Sequence, residues 1–431
     1  MKILTVSGES PSGGAVLPAN SVILWRGVAA SVPSGWSLFA TAQGQLIQGA
    51  SAGGISLTST GSLTHTHTNP STDTTGAHTH ATSGGSTSTS TASKMFYATA
   101  NSYTSVASHS HNIGSGNTSS NGDHYHTNSD TVSASSLPPV IALYWITNSA
   151  EATLPVSAAI VYYNSLVMPT GFNLCDGVSA PFNMHQKFVL GASNDGEVGT
   201  TLGASTHSHE NPDTDSAGAH THTAYANLGT GGSTKNASTY AGTQVGAPHN
   251  HSGASASTSS GGAHVHTRPA TGSAANLPPY IDLVAMECVA EVSEIPTGTI
   301  VAFKGSSSAI PLGWALCDGS GTTPNTVDKY IRTITSGTLE ATGGASSHVH
   351  TNSATNSAGS HNHGGSTGGT AWNSGTVWVT IGSAATAADQ NHSHSWSVTI
   401  GSNGSHTHNV GSTGSADNNP PHIKLYFIQK L

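Results

Sequence analysis

The chain has 431 residues, 11 basic against 20 acidic side chains, and a formal net charge of −9 with only 7% charged residues. So little Lys and Arg cannot neutralise a phosphate backbone, which excludes nucleic acid as a partner. Apolar residues are 35% of the chain, many of them alanine, so a conventional core can form only where the larger ones gather.

No apolar run approaches the roughly 20 residues of a membrane helix, so no membrane insertion is expected. The opening MKILTVSGESPSGG has too short an apolar part for a secretory signal, so no signal peptide and synthesis in the cytoplasm are expected. Cys175, Cys288 and Cys317 form no CxxC and no disulfide framework.

Residues 1–19 read as a flexible Gly/Pro/Ser lead suited to attachment. Three copies of about 130 residues follow, at 20–148, 154–291 and 295–431. Each opens with a β-rich stretch: NSVILWRGVAASVPSGWSLFA, SAAIVYYNSLVMPTGFNLCDG and GTIVAFKGSSSAIPLGWALCDG. Within it a Pro-x-Gly-aromatic element at 33–36, 169–172 and 311–314 reads as a turn carrying a core anchor. Cys175 and Cys317 occupy equivalent positions where the first copy has Phe39, so they read as packing residues. Each copy closes on a double proline and an alternating strand, LPPVIALYWI, LPPYIDLVAMECV and NPPHIKLYFIQ, which predicts half-buried strands. The fold class expected is mainly β.

Between opening and closing lies a polar insert that holds 24 of the 26 histidines as His-x-His pairs. The first copy carries His65/His67, His78/His80, His109/His111 and His124/His126. The second carries His207/His209, His220/His222, His249/His251 and His264/His266. The third carries His348/His350, His361/His363, His392/His394 and His406/His408. Successive pairs are 13, 31 and 15 residues apart in the first copy, 13, 29 and 15 in the second, 13, 31 and 14 in the third. A glycine stands two residues before the second and fourth pairs of every copy. Surface decoration or a disordered His-rich tract does not keep such intervals three times over. His185 and His422 fall outside the pattern and read as surface or packing residues.

In an extended strand residues i and i+2 face the same way, so His-x-His presents two imidazoles side by side. Three equivalent pairs about a three-fold axis supply six nitrogens, an octahedral shell that suits Fe(II), with Ni or Co as substitutes, better than four-coordinate Zn. Four pairs per copy then predict about four ions per chain. The step of 13 is odd, so a flat strand would turn the second pair to the opposite face. No recurring carboxylate pair, nucleophile motif or phosphate loop is present, and a six-histidine ion has no open position, so no enzyme is expected.

IPLGWALCDGSGTTPNTVDKYIR at 310–332, the His-x-His pairs and NPPHIKLYFI together resemble the phage tail-collar family, which includes receptor-binding tips of bacteriophage tail fibres. The second copy reads APFNMHQKF where the family has Pro-Asn-Leu-x-Asp-Arg-Phe, and the first lacks the CDG element. The resemblance implies a collar bearing an intertwined needle whose strands run out and back, threaded by six-histidine iron ions. It implies a virion protein at a tail fibre or tail tip that attaches to a host-surface saccharide or outer-membrane protein. Neighbouring fibre or baseplate proteins would be met through the N-terminal segment or collar. The family builds homotrimers from one copy per chain; three copies here predict a pseudo-three-fold, intertwined, metal-threaded β needle made by a monomer. The stretches 81–108, 223–248 and 364–391 would lie at the distal tip, with Phe96, Tyr97, Tyr103, Tyr225, Tyr240, Trp372 and Trp378 as receptor-binding candidates. The alternatives are a baseplate spike tip that pierces the host envelope and a His-rich metal-storage protein.

Overall fold

The structure is a computed structural model that describes residues 15–51, 54–74, 77–83, 96–98, 102–104, 116–120, 123–226, 254–257, 261–361, 370–372, 376–381, 384–389, 393–395, 399–400 and 404–431. It is mainly β; among the described residues the only helical segments are three short 3-10 turns. Nine strands carry the core: β1 (Ser21–Trp25), β2 (Leu46–Gly49), β3 (Val140–Thr147), β4 (Ala159–Tyr163), β5 (Phe188–Gly191), β6 (Tyr280–Cys288), β7 (Thr299–Phe303), β8 (Tyr330–Ile334) and β9 (His422–Lys430). Each copy contributes an opening strand, an inner strand and a closing strand. All nine belong to one hydrogen-bonded sheet.

The pairing passes from copy to copy and closes on itself. Each closing strand runs antiparallel to its own opening strand, with Tyr144 opposite Trp25, Glu287 opposite Ile160 and Gln429 opposite Ile300. It also runs parallel to the inner strand of the next copy: β3 beside β5, β6 beside β8, and β9 beside β2. The double prolines set that register. The carbonyls of Pro139, Pro279 and Pro421 accept from the N–H groups of Phe188, Tyr330 and Leu46, each at 2.9 Å. A proline has no N–H to compete for a partner, so only its carbonyl is offered to the neighbouring strand. The opening strands also pair cyclically, Trp25 with Ala159, Tyr162 with Ile300 and Phe303 with Ser21.

The closing strands depart from the expected half-burial: all eight residues of β3 are buried. Ile141, Leu143 and Trp145 enter one apolar cluster, and Ala142, Tyr144 and Ile146 enter another on the opposite face. The parallel cross-copy pairing explains this, because a strand covered on both faces has no solvated side. Both clusters take residues from all three copies, so the copies share their core. Phe39, Cys175 and Cys317 pack in the first cluster, and burial pushes both thiols well above the usual range. The Pro-x-Gly-aromatic elements form turns in which Trp36, Phe172 and Trp314 donate their N–H to Pro33, Pro169 and Pro311. Their glycines take the left-handed conformation, with φ of 85°, 87° and 85°.

One boundary is corrected. Val16–Leu17 pairs with Ala152–Thr153, Ala15 donates to the Val292 carbonyl at 2.8 Å, and Ala15 and Leu17 are fully buried. The flexible lead expected over 1–19 therefore does not extend past residue 14, because Ala15, Val16 and Leu17 supply apolar surface that the segments between copies cover. Residues 1–14 lie outside the described residues.

Candidate metal centres

Short ladders bring the first histidines together at the base of the polar inserts. Thr64–His65 pairs with Ala134–Ser135, Thr206–His207 with Ala274–Ala275, and Ser347–His348 with Ala416–Asp417. The six side chains His65, His67, His207, His209, His348 and His350 place their ligand atoms within 4.8 Å of one another. Neighbouring Nε2 atoms are 3.0 Å apart for His65 and His207, 3.1 Å for His207 and His348, and 3.2 Å for His65 and His348. His348 and His350, within one pair, are 3.1 Å apart. In an octahedron an edge is √2 times the metal–ligand bond, so these edges correspond to bonds of about 2.1–2.3 Å, the range of metal–imidazole bonds.

The ring packing has octahedral connectivity. Rings meet edge-on at 4.7–5.0 Å in every pairing except His65 with His350, His67 with His207, and His209 with His348. Three disjoint pairs out of contact are the three diagonals of an octahedron. Each histidine pair therefore spans one edge. The first histidines form one triangular face and the second histidines the opposite face.

The tautomers follow from the surrounding carbonyls. The Nδ1 atoms of His67, His209 and His350 each lie 2.7 Å from a backbone carbonyl, of Gly414, Val132 and Gly272 respectively. A carbonyl can only accept, so Nδ1 carries the proton and Nε2 is left with a bare lone pair. Lone pairs facing each other at about 3 Å repel unless a cation lies among them. Each of these carbonyls belongs to a neighbouring copy, so the inter-copy bonds also aim the imidazoles.

A second six-histidine cluster is made by the fourth pairs. Rings of His124, His126, His264, His266, His406 and His408 meet at 4.9–5.4 Å, and the pairings missing are His124 with His266, His126 with His406, and His264 with His408. These are again three diagonals. All six Nε2 atoms are buried without a hydrogen-bond partner in the protein. His126, His266 and His408 donate from Nδ1 to the carbonyls of Asp215, Asn356 and Asp73 at 2.7, 2.9 and 3.0 Å. Here the bond goes to the following copy, whereas in the first cluster it goes to the preceding one, as strands of reversed direction require.

For the second pairs, His78, His80, His220, His222 and His361 gather with ring separations of 4.7–5.5 Å, and the His220 and His361 Nε2 atoms are 3.2 Å apart. His363 lies outside the described residues, as do His109, His111, His249, His251 and His392 and the side chain of His394. Tyr240 and the side chains of Phe96, Tyr97, Tyr103, Tyr225, Trp372 and Trp378 also lie outside them.

Burial favours the neutral form of the first histidine of each pair in the two six-histidine clusters. Desolvation, with the neighbouring imidazoles adding to it, lowers His65, His207 and His264 to about 3 and His124, His348 and His406 to about 4. A neutral imidazole is the form that ligates metal. Outside the clusters, His422 is buried against Pro420 and Thr60, and His185 accepts from the Thr335 N–H.

The puzzle of the odd 13-residue step resolves at glycine. Residues 208–216 form no regular strand, and Gly218 and Gly359 are left-handed, with φ of 89° and 84°. The alternation of a flat strand does not pass through them. Their missing side chains also matter: a Cβ on Gly359 would lie 2.7 Å from His406 Cε1 and 2.8 Å from His264 Nε2.

Two sets of residues escaped the motif reading. A threonine stands five residues after the first and fourth pairs in every copy, giving Thr72, Thr131, Thr214, Thr271, Thr355 and Thr413, all buried. Each clasps the second histidine of the other pair in its own copy; Thr271, for example, accepts from the His209 N–H and donates to the His209 carbonyl, both at 2.9 Å. Asn69, Asn211 and Asn352 close a ring of amide bonds at 3.2–3.3 Å between copies. Recurrence of His-x-His-x4-Thr and His-x-His-x-Asn was the available signal.

These clusters could hold metal ions. Comparison of the chain with protein-family models, with curated proteins and with solved structures found no match.

Proposed function

We propose that the chain is a non-enzymatic virion adhesin, the receptor-binding tip of a phage tail fibre or tail, in which three copies form one pseudo-three-fold collar and a needle threaded by Fe(II). The observation that carries the metal part is the first cluster, where six Nε2 atoms from three copies meet at octahedral spacing and inter-copy carbonyls set the tautomers of His67, His209 and His350. Six imidazoles fill an octahedral shell and leave no position for water or substrate, so the ions act as cross-links. A storage protein needs ions that exchange; ligands clasped by buried threonines and neighbouring copies favour retention instead.

The adhesive part rests on the family resemblance and on where the chain turns back. Thr72, beyond the first pair, clasps the fourth pair, and His220 bridges Gly261, so the strands run out and return within each copy. By the family resemblance the stretches 81–108, 223–248 and 364–391, which lie largely outside the described residues, are assigned to the distal tip. Receptor contact is assigned to that end, and attachment to neighbouring fibre or baseplate proteins to the collar side.

The test combines elemental analysis, light scattering and adsorption of labelled protein to bacterial surfaces. Expected are about four iron ions per chain, a particle of about 43 kDa and saturable binding to a susceptible host. Labile zinc at sub-stoichiometric load would overturn the needle. Intact metal without any surface binding would overturn the adhesin.

A further inference from the structure

We infer that two ion pairs with buried carboxylates fix the cyclic order of the three copies, so that they close in the order first, second, third and a ring of like copies from separate chains is disfavoured. The inference deepens the single-chain part of the proposed function and rests on it. The three seams between closing and inner strands are structurally equivalent but chemically different. At one level of the parallel register the first-to-second seam sets Ala142 beside Leu190, the second-to-third sets Asp282 beside Arg332, and the third-to-first sets Lys424 beside Gln48. The Asp282–Arg332 pair is bidentate, Nε to Oδ1 and Nη2 to Oδ2, both at 2.7 Å. Asp282 is only 4% exposed. The guanidinium also stacks on the ring of Tyr280, 3.9 Å from its centre, and Tyr280 belongs to the same neighbouring copy as Asp282.

A second level repeats the logic at the opening strands. The N–H groups of Arg26, Asn164 and Lys304 donate to the carbonyls of Ala158, Gly298 and Asn20, so the three residues hold equivalent places. Arg26 forms an ion pair there, its Nε 2.6 Å from Oε1 of Glu287, whose side chain is 1% exposed, whereas Asn164 donates to the exposed Glu340 carboxylate at 2.7 Å. At the other two seams the place of Glu287 is taken by Gln429 and Thr147.

Permuting the copies separates these partners. In a homotrimer where each copy meets its own counterparts, Asp282 would stand beside Leu190, Lys424 beside Arg332, and Arg26 beside Thr147. The reversed order within one chain would put Asp282 beside Gln48, Lys424 beside Leu190 and Ala142 beside Arg332. Either arrangement buries a carboxylate without its cation, and the homotrimer also opposes two cations. Removing one partner of a buried pair is far more costly than the pair's net worth, so the penalty falls on the wrong arrangements.

The test uses the full chain, loaded with metal. Asp282→Arg and Arg332→Asp singly, and the double swap D282R/R332D, are compared with wild type by thermal unfolding and by light scattering after refolding. Each single change should lower Tm by about 5 °C or more and raise the multi-chain fraction on the order of tenfold, with the double swap recovering most of both. Because a single variant can fail to fold, two differently tagged wild-type chains are also refolded together; they should not co-purify. A wild-type mass near three chains, co-purification of the tags, or single variants as stable as wild type would overturn the inference. Metal content read on the same samples separates the two ideas: a three-chain particle with full metal sinks the copy order and leaves the metal centres. A one-chain particle with paired tags absent but no metal does the reverse.

Discussion

Thr131 holds His67 by two hydrogen bonds at once, accepting from its N–H at 2.9 Å and donating its own N–H to its carbonyl at 2.9 Å. The two residues are 64 positions apart, on the returning and outgoing strands of one copy. Thr72 does the same for His126, so each strand positions a ligand pair carried by the other. Backbone held on both sides leaves an imidazole little freedom beyond its own rotamer, which is how a polar, Gly-rich insert can present a rigid ligand set.

Replacing one of these threonines tests the clasp. Thr271→Val keeps the shape but removes the acceptor for the buried His209 N–H, at a cost of about 1–3 kcal/mol. Metal affinity should fall by roughly 10–100-fold, as for other residues that orient ligands, while Thr271→Ser should retain both. Competition with a chelator followed by thermal unfolding measures both quantities; equal affinity in the valine variant would remove the clasp from the account.

Gly359→Ala should disturb the fourth-pair cluster while leaving the first intact. A left-handed alanine costs about 1–2 kcal/mol, and its Cβ would contact His406 and His264 directly. The expected outcome is loss of about one ion per chain. Gly404→Ala is the control, since a Cβ there meets nothing. Native mass spectrometry of the two variants decides the point.

The metal-free protein should lose stability in acid over a defined window. The folded state holds His65, His207 and His264 down to about 3, and His124, His348 and His406 to about 4, chiefly by desolvation. In the unfolded chain they take up protons near 6.5, so the unfolded state binds more protons and stability falls as pH drops. The contribution is complete above about pH 6.5 and is lost progressively toward about pH 3–4. Denaturant midpoints of chelator-treated protein between pH 8 and 4 should therefore fall, and a flat profile would contradict the neutral clusters. Protons also compete for Nε2, so metal should be released over the same range.

The proposed receptor contact and the metal centres should separate functionally. Changing Trp372 and Trp378, or Phe96 and Tyr97, to alanine is expected to reduce adsorption with metal content unchanged. His220→Ala with His222→Ala should lower metal content and Tm first. Adsorption that survives removal of all seven candidate aromatics would contradict the proposed receptor contact.

The mainly β class was legible in the sequence, because VIALYWI and its two counterparts have the residue types of strands. The ligand pairs were legible too, because i and i+2 share a side whatever the wider path. Spacing alone could not say which pairs lie near one another: the fourth pairs sit between the first and second along the insert, a consequence of the return strand's register with the outgoing one. Nor could it show that β3 is buried on both faces, since an apolar run reads the same whether one sheet or two layers cover it. Ala15 and Leu17 were missed because two buried side chains in a Gly/Ser context carry no periodic signal. The sequence by itself determined the local chemistry: strands, turns and paired imidazoles follow from residues within a few positions of each other. Only the tertiary structure decided the octahedral connectivity, the threonine clasps and the pairing of Asp282 with Arg332. Those depend on cross-copy contacts between residues tens to hundreds of positions apart, and no local pattern constrains such contacts until the shared core sets the register.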